Sequence, residues 1–343
     1  MSTDLDAIAW IPEGAPRQSF YRYSFGLTND LLKHIQKGLG FHDLWENIWR
    51  VPEYGAAFMG GKHLRGSLLM LVYDALAPVY LKDYPQLTRE NALDLAAAIE
   101  ISHSASLIVD DMIDDDTTRR GKAAHHVTVG EKRAMLDTVD ALGAAYHLAG
   151  TAGFKYTLQL SDTQRQMCSG VIREALKQHK VTATSLYELL ITQKTGNPFA
   201  LAAQWGATVA NAPEEIIKDF REYGLYTGLA MQMADDIADL SRIGAKGKKK
   251  GFGSEVLLLR CLTVDGLVKE MVADLKTLHP HPSNIKYFMS QKGIVRQLDE
   301  MLKGKVQMAE YVIANHYKKA AQPFGRILLE TPAEIVQMMK DEK

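Results

Sequence analysis

Apolar residues recur every three or four positions along most of the chain, a spacing that predicts α-helices. Helices are predicted over residues 21–37, 66–77, 90–114, 163–177, 186–210, 213–240, 254–277 and 292–314. Clusters of Pro, Gly and Asn are expected to separate them, as at Ala77-Pro78 and Gly196-Asn197-Pro198. Because alternating runs of Val, Ile and Thr are missing, no sheet is predicted.

The stretch 90–114 is apolar on every side, with its charges at the two ends, which predicts a buried central helix. No internal repeat, low-complexity tract or long linker divides the chain. We therefore predict one all-α domain over residues 1–343, a single large helical bundle in which residues 1–20 form an irregular N-terminal segment.

Composition narrows the choice of compartment and partner. The 343 residues are 46% hydrophobic and carry a net charge of -1, so no nucleic-acid or membrane-surface binding is predicted. The two cysteines, Cys168 and Cys261, are far apart and are expected to be buried thiols in a reducing compartment. The N-terminus lacks a signal pattern, and no uncharged apolar run reaches about 18 residues. A soluble cytoplasmic protein without a transmembrane segment is therefore expected.

Two acidic clusters with the pattern D-D-x-x-D stand where apolar helical stretches end. They are Asp110, Asp111 and Asp114, and Asp235, Asp236 and Asp239. Carboxylates four residues apart share one face of a helix and repel each other unless a cation lies between them. A single cluster of this kind is more often a solvated helix face, but two of them favour a site for Mg²⁺, which prefers oxygen ligands. Gln232, one turn before Asp235, is expected to join the second site.

Cations and glycines lie near both clusters. Arg119 and Arg120 follow the first cluster and could be simple ion-pair partners, while 60–65 (Gly-Gly-Lys-His-Leu-Arg) combines flexible backbone with Lys62 and Arg65. Lys194 and Thr195 precede a glycine in a third such segment. Because arginine matches phosphate oxygens two at a time, the set suits diphosphates, and metal-assisted departure of a diphosphate is the predicted chemistry.

Four ordered motifs over residues 60–255 resemble the trans-isoprenyl diphosphate synthase family. They are G-G-K-x-x-R at 60–65, H-x-x-S-L-x-x-D-D-x-x-D-x-x-x-x-R-R-G at 103–121, K-T-G at 194–196 and G-x-x-x-G-x-x-x-Q-x-x-D-D-x-x-D at 224–239. The resemblance implies an isoprenoid synthase fold with a central prenyl-chain cavity. It also implies a homodimer that joins isopentenyl diphosphate to an allylic diphosphate with Mg²⁺, at roughly three ions per site.

The resemblance also assigns roles to residues. The implied metal ligands are Asp110, Asp111, Asp114, Asp235 and Asp239. The implied catalytic residues are Asp110, Asp111, Asp114, Arg119, Lys194, Asp235 and Asp236. The implied diphosphate-binding residues are Lys62, Arg65, His103, Arg119, Arg120, Lys194, Thr195, Gln232 and Lys250.

Some positions depart from the family pattern. His63 and Gly66 replace the commonly seen Arg and Pro, and Val109 stands where many members have His. After the second cluster the family's Asp is replaced by Glu255, and its later Lys is absent unless Arg260 substitutes for it. The lysine-rich stretch 246–250 fits a solvated loop as well as a phosphate lid.

Small side chains on the helix before Asp110 bear on product length. Ala105 and Ser106 lie about 6–8 Å deeper than Asp110, with Ser102 and Ala98 below them. With no aromatic plug, the sequence is most like geranylgeranyl diphosphate synthases, so geranylgeranyl diphosphate or a longer product is expected. Small residues would also permit close helix packing without any such role.

Two other functions remain open. A terpene cyclase on the same fold would not need the residues that bind isopentenyl diphosphate, but the unusual 246–260 segment is compatible with it. A regulatory subunit of a heteromeric synthase would be expected to lose aspartates from one cluster, whereas both clusters are complete.

Overall fold

The computed structural model describes residues 19–40, 57–81, 85–175, 183–242, 258 and 282–341. Its α-helices, numbered along the chain, are α1 (Phe20–Gly38), α2 (Leu64–Tyr80), α3 (Pro85–Ile113), α4 (His125–Val129), α5 (Glu131–Ala152), α6 (Phe154–Ala175), α7 (Ala183–Ile191), α8 (Asn197–Val209), α9 (Glu214–Arg242), α10 (Pro282–Ser290), α11 (Lys292–Ile313) and α12 (Phe324–Asp341). The prediction of an all-α fold is confirmed. A small exception is an antiparallel hairpin of two-residue strands, β1 (Thr118–Arg119) and β2 (Lys122–Ala123).

Two helix boundaries differ from the predicted ones. Pro78 does not end α2, which continues to Tyr80, since a proline in the last turn breaks few further backbone hydrogen bonds. Residues 186–210 are not one helix, because a π-helical turn at Thr192–Gly196 separates α7 from α8. Apart from residue 258, the predicted helix over 254–277 lies outside the described residues. Helices α4, α5, α10 and α12 were not predicted.

The core is built around α3, which lies against α1, α2 and α5. Most of its side chains between Ala92 and Ser102 are buried, as predicted for a central helix. On length and composition Thr88–Ile113 could cross a membrane, but 78% of its apolar window is buried inside the protein, as in core helices. The apolar character of α3 is therefore used in packing.

Helices α8 and α9 make an extensive contact that places the second acidic cluster. A Cβ on Gly224 would lie 2.4 Å from the Phe199 carbonyl oxygen, and one on Gly228 would lie 3.0 Å from the Thr195 carbonyl oxygen. The G-x-x-x-G spacing on α9 is thus required by close helix approach.

The expectation of two buried thiols is wrong for Cys168, which is exposed on α6. Its position follows from the amphipathic pattern of that helix, where Leu160 and Gln164 face inward and Cys168 lies at the edge of that face. Cys261 lies outside the described residues.

Candidate active site

The first acidic cluster lies at the C-terminal end of α3, and its carboxylates differ in how buried they are. Asp111 is buried and accepts hydrogen bonds from Arg119, with Nε 2.9 Å from Oδ1. Burial alone would lower the pKa of Arg119, but the hydrogen bonds and negative charge of Asp111 raise it, so Arg119 stays cationic. Asp110 is half-buried and Asp114 is exposed, one turn apart on α3. The more accessible carboxylates are therefore the two at the predicted i, i+4 spacing.

A tight turn after the cluster places Arg120 next to Gly60 and Gly61. Arg120 (φ 53°) and Gly121 (φ 74°) adopt left-handed conformations between β1 and β2. Arg120 donates a hydrogen bond from Nη1 to the carbonyl oxygen of Gly60. Gly61 has φ 120°, and a Cβ there would lie 2.6 Å from Arg120 Nη2. The hairpin thus joins the first cluster to the glycine-rich segment 60–65.

Segment 60–65 leads directly into α2. Lys62 is half-buried, and its carbonyl oxygen accepts a hydrogen bond from Ser24 Oγ at 3.3 Å. Arg65 is 5% exposed, and its guanidinium carbon lies 4.9 Å from the centre of the Phe199 ring on α8. Burial lowers the pKa of Arg65 to about 10, against the opposing charge of Glu100, so it stays cationic at neutral pH. Lys62 and Arg65 flank the start of the helix.

His103 and Arg65 share a pocket wall between α2, α3, α6 and α8. A small cavity there is lined by Arg65, Ile99, Ser102, His103, Leu160, Thr163, Gln164, Met167, Pro198 and Leu201. Among the described residues, His103 Nδ1 and Arg65 Nε have no hydrogen-bond partner although both atoms are buried. Burial, then the positive charge of Arg65, lowers the pKa of His103 well below its usual value. Neutral His103 thus lies beside a cationic group, as expected for an anion site.

Glu100, which sequence reasoning missed, is the buried carboxylate beside these cations. Its Oε1 accepts a hydrogen bond from the Gly66 backbone N–H at 2.7 Å, and its Oε2 lies 3.5 Å from His63 Nδ1. Burial alone would raise the pKa of Glu100, but the His63 hydrogen bond and the charges of His63, His103 and Arg65 lower it to about 2. A signal was present in the sequence, since Glu100 lies one turn before His103 on an apolar helix.

The second acidic cluster lies near the end of α9, where Arg242 Nη1 donates a hydrogen bond to Asp239 Oδ1 at 3.4 Å. Asp236 is buried, and its carboxylate accepts hydrogen bonds from Tyr187 Oη at 2.9 Å and from Gln232 Nε2 at 3.0 Å. Gln232 Oε1 in turn accepts from Thr195 Oγ1 at 2.6 Å. Asp235 and Asp239 are half-buried beside this chain of contacts. Gln232 therefore joins the second cluster, as expected, through a hydrogen bond to Asp236, one turn later.

The π-helical turn presents Thr195 to Gln232 on α9, while the Lys194 side chain lies next to Gly170 on α6. Thr195 and Gly196 are buried, whereas Lys194 is half-buried. The turn leads into α8, which carries Phe199 against Arg65. Helix α8 thereby links the surroundings of the second cluster to those of Arg65 and His103. π-turns inside helices are often found at functional sites.

The predicted chain-length residues have distinct surroundings. Ala105 is fully buried, and Ser106 Oγ donates a hydrogen bond to the His103 carbonyl oxygen at 2.7 Å. Ser102 Oγ donates to Gln164 Oε1 on α6 at 2.8 Å, and both residues line the cavity next to His103. No aromatic side chain is among the residues lining that cavity. Lys250 and Arg260 lie outside the described residues.

The carboxylates suit a hard divalent cation by their chemistry. Each cluster offers two carboxylates at i, i+4 and sets a third, Asp111 or Asp236, into hydrogen bonds with the fold. Within the described ranges, no three His, Cys, Asp or Glu side chains are gathered as a complete metal site. Mg²⁺ commonly takes one or two carboxylates and completes its shell with water and substrate phosphates, so such an arrangement fits it.

Comparison with known proteins identifies the class. The polyprenyl synthetase family model matches residues 52–256. A geranylgeranyl diphosphate synthase of Methanosarcina mazei is 30% identical over 203 residues, covering 57% of this chain and 60% of that enzyme. The chain thus matches less than two thirds of the length of this relative.

The fold is similar to that of solved synthases. A decaprenyl diphosphate synthase from Rhodobacter capsulatus superposes with a TM-score of 0.74 at 20% identity, covering 93% of this chain and 99% of that one. A polyprenyl synthase from Caulobacter crescentus, complexed with calcium and isoprenyl diphosphate, has a TM-score of 0.71 at 21% identity, covering 94% and 98%. The chain belongs to the polyprenyl synthetase family and has its all-α isoprenoid synthase fold.

Proposed function

We propose that this protein is a Mg²⁺-dependent trans-prenyltransferase that condenses isopentenyl diphosphate with an allylic diphosphate. The observation that carries the proposal is the contact of Arg120 with Gly60 and Gly61, which joins the cationic segment 60–65 to the aspartates of α3. A cation group and a carboxylate group at one place suit two diphosphates, one held directly and one through metal ions.

Lys62, Arg65, His103 and Arg120 bind isopentenyl diphosphate in this proposal. Support comes from the buried, unpartnered Nε of Arg65 and Nδ1 of His103, because buried donors normally have a partner. A diphosphate would supply acceptor oxygens to a neighbourhood in which Arg65 stays cationic. The neutral His103 can donate one N–H without adding charge.

The allylic diphosphate is assigned to the aspartate side. Asp110, Asp114, Asp235 and Asp239 would hold roughly three Mg²⁺ ions, which act as Lewis acids when the diphosphate leaves. Asp111 orients Arg119 toward this side, and Lys194, Thr195 and Gln232 flank it next to Asp236. The calcium in the Caulobacter crescentus structure supports a divalent-cation site in this fold. The leaving diphosphate then removes the proton from the condensation product.

Geranylgeranyl diphosphate or a longer chain is the proposed product. The wall below Asp110 is formed by Ala105, Ser102 and Ala98, all small. The relatives and structural neighbours include both geranylgeranyl and decaprenyl diphosphate synthases, so the family accommodates a range of lengths.

A soluble cytoplasmic homodimer with one domain per chain is the proposed assembly. Met135, Leu136 and Val139 are large apolar side chains exposed on α5, where a second copy would cover them. Sedimentation of wild type and Leu136→Glu tests this assembly. A monomeric wild-type protein would contradict it.

The central experiment is a product assay on purified protein with Mg²⁺, isopentenyl diphosphate and dimethylallyl, geranyl or farnesyl diphosphate in turn. Linear diphosphates, formed only when isopentenyl diphosphate and Mg²⁺ are both present, are expected. Hydrocarbons or cyclic alcohols formed without isopentenyl diphosphate would instead establish a terpene cyclase. Activity only after addition of a second synthase subunit would establish a regulatory partner. Loss of all product in excess chelator, restored by Mg²⁺, is the expected metal dependence.

A further inference from the structure

Glu100 has no role among the predicted site residues, yet it makes contacts on both sides of Arg65 in the sequence. Its carboxylate is 3% exposed, so it cannot exchange these contacts for water. One oxygen accepts from the Gly66 N–H at 2.7 Å and the other faces His63 Nδ1 at 3.5 Å. A buried carboxylate with these partners fixes the start of α2.

The backbone at this point needs such support. His63 has φ 47° and ψ 43°, a left-handed conformation that is unfavourable for a residue with a Cβ. It makes no side-chain capping hydrogen bond to α2. The contact of its imidazole with Glu100 is therefore a tertiary interaction that helps to hold the turn between Lys62 and Arg65.

Position 66 explains how this chain accommodates its departure from the family pattern. A proline there, as is common in the family, has no N–H and could not donate to Glu100. Gly66 supplies the N–H. There is little room for a side chain at this position, since a Cβ would lie 3.1 Å from Glu100 Cγ and 3.2 Å from the Ala96 carbonyl oxygen. The residues His63, Gly66 and Glu100 form one set of contacts.

We propose that Glu100 is the positioning residue of the isopentenyl diphosphate site. Its carboxylate holds segment 60–66 against α3 and balances the charge of Arg65, so that Lys62, Arg65 and His103 face the diphosphate as a preformed group. The inference rests on the proposed prenyltransferase function. Glu100 touches no reacting atom and acts through these three side chains.

The test is Glu100→Gln in the full-length protein. Glutamine has nearly the same size and can still accept a hydrogen bond from the Gly66 N–H, but it carries no charge. The substitution therefore weakens the contacts of residue 100 with segment 60–66 without changing the volume of the side chain. We expect the KM for isopentenyl diphosphate to rise about tenfold, the equivalent of one charge-assisted hydrogen bond, with kcat and the KM for the allylic diphosphate changed less than about twofold. Calorimetric titration with isopentenyl diphosphate alone should show the same loss of affinity.

Asp94→Asn is the matched control. Asp94 is also buried on α3, with His34 Nδ1 at 2.6 Å and Lys37 Nζ at 2.8 Å, but it contacts neither segment 60–66 nor the cavity wall. It should lower the melting temperature without a selective change in KM. If Glu100→Gln does not fold, His63→Asn replaces it, because asparagine tolerates the left-handed conformation but loses the imidazole contact.

The possible results distinguish failure of the positioning role of Glu100 from failure of the proposed prenyltransferase function. A folded Glu100→Gln or His63→Asn protein with wild-type affinity for isopentenyl diphosphate would overturn the positioning role. Equal losses for both substrates, or the same selective loss in Asp94→Asn, would also overturn it. A wild-type protein that makes no condensation product would instead refute the proposed function.

Discussion

The two aspartate clusters look alike in sequence but are set into the fold by different chemistry. In the first, the buried Asp111 is paired with the cation Arg119. In the second, the buried Asp236 is held by the neutral groups of Tyr187 and Gln232. Each cluster therefore has one buried carboxylate with hydrogen bonds to other side chains: Asp111 accepts them from a cation, and Asp236 accepts them from two neutral side chains.

This difference indicates that the two aspartate clusters have different roles in binding the substrates. The protein partly neutralises the first cluster and adds Arg120 and Lys62 nearby, so that end is prepared for direct contact with phosphate oxygens. At the second cluster a cation, Arg242, pairs with Asp239 at 3.4 Å, while Asp236 accepts hydrogen bonds from neutral side chains. Five substitutions test or extend this comparison.

Alanine at Asp110 or Asp235 should have the largest effect. Each change removes one of the two carboxylates at i, i+4 spacing in its cluster, and we expect kcat to fall about 100- to 1,000-fold or more, as when one preorganised electrostatic group is lost. Circular dichroism should be unchanged, because neither buried carboxylate is altered. Asp162→Ala, on the exposed side of α6, is the control. Wild-type turnover in either cluster variant would rule out the metal-site assignment.

Arg119→Ala should come next and act on both stability and activity. It leaves the buried Asp111 without its cation, at a cost of about 2 kcal/mol in the free energy of unfolding. Turnover should fall about tenfold, since the charge next to the diphosphate is lost. Denaturant titration and steady-state kinetics measure the two effects. Arg119→Lys should recover part of each, and its failure to recover either would argue against a role for the charge.

Tyr187→Phe makes the corresponding change at the second cluster and should be milder. It removes one neutral hydrogen bond to Asp236, which Gln232 still contacts, and should cost about 1 kcal/mol of stability. Turnover should change less than about threefold. If Tyr187→Phe were as damaging as Arg119→Ala, the proposed distinction between charged and neutral hydrogen-bond donors would be wrong.

Gln164→Ala should have the smallest effect on rate. It changes the α6 side of the cavity that lies next to His103. The Ser102–Gln164 hydrogen bond crosses the cavity wall about 12 Å along α3 from Asp110. Passing an apolar chain through a hydrogen-bonded pair would leave buried polar groups unpaired. We expect longer products by chromatography at nearly unchanged turnover. Thr163→Ala, one position away in the same wall, is the comparison, and identical product lengths in all three proteins would exclude this barrier.

Local patterns predicted the helices and both clusters well. The periodic stretches became α1, α3, α9 and α11 with boundaries shifted by a few residues. Helix α5 was missed because its large apolar residues Met135, Leu136 and Val139 are exposed and blur the amphipathic pattern.

Partnerships between distant residues could not be predicted in the same way. Glu100 and Gly66 are 34 positions apart, and Tyr187 and Asp236 are 49 apart. Nothing in either local pattern says that the pair meets, because helix packing determines these contacts. The difference between the buried aspartates, Asp111 and Asp236, and the more exposed ones in each cluster therefore became visible only in the structure.

The π-turn at Thr192–Gly196 makes the length of this segment as important as its composition. Such a turn holds one more residue than the α-helical path, and the helix continues on both sides. Deleting Gln193 would favour an ordinary α-helix and rotate one flank relative to the other by about 100°. Thr195 would then turn away from Gln232, or Phe199 would turn away from Arg65. The segment should accept a substitution at Thr192 far more readily than the loss of one residue.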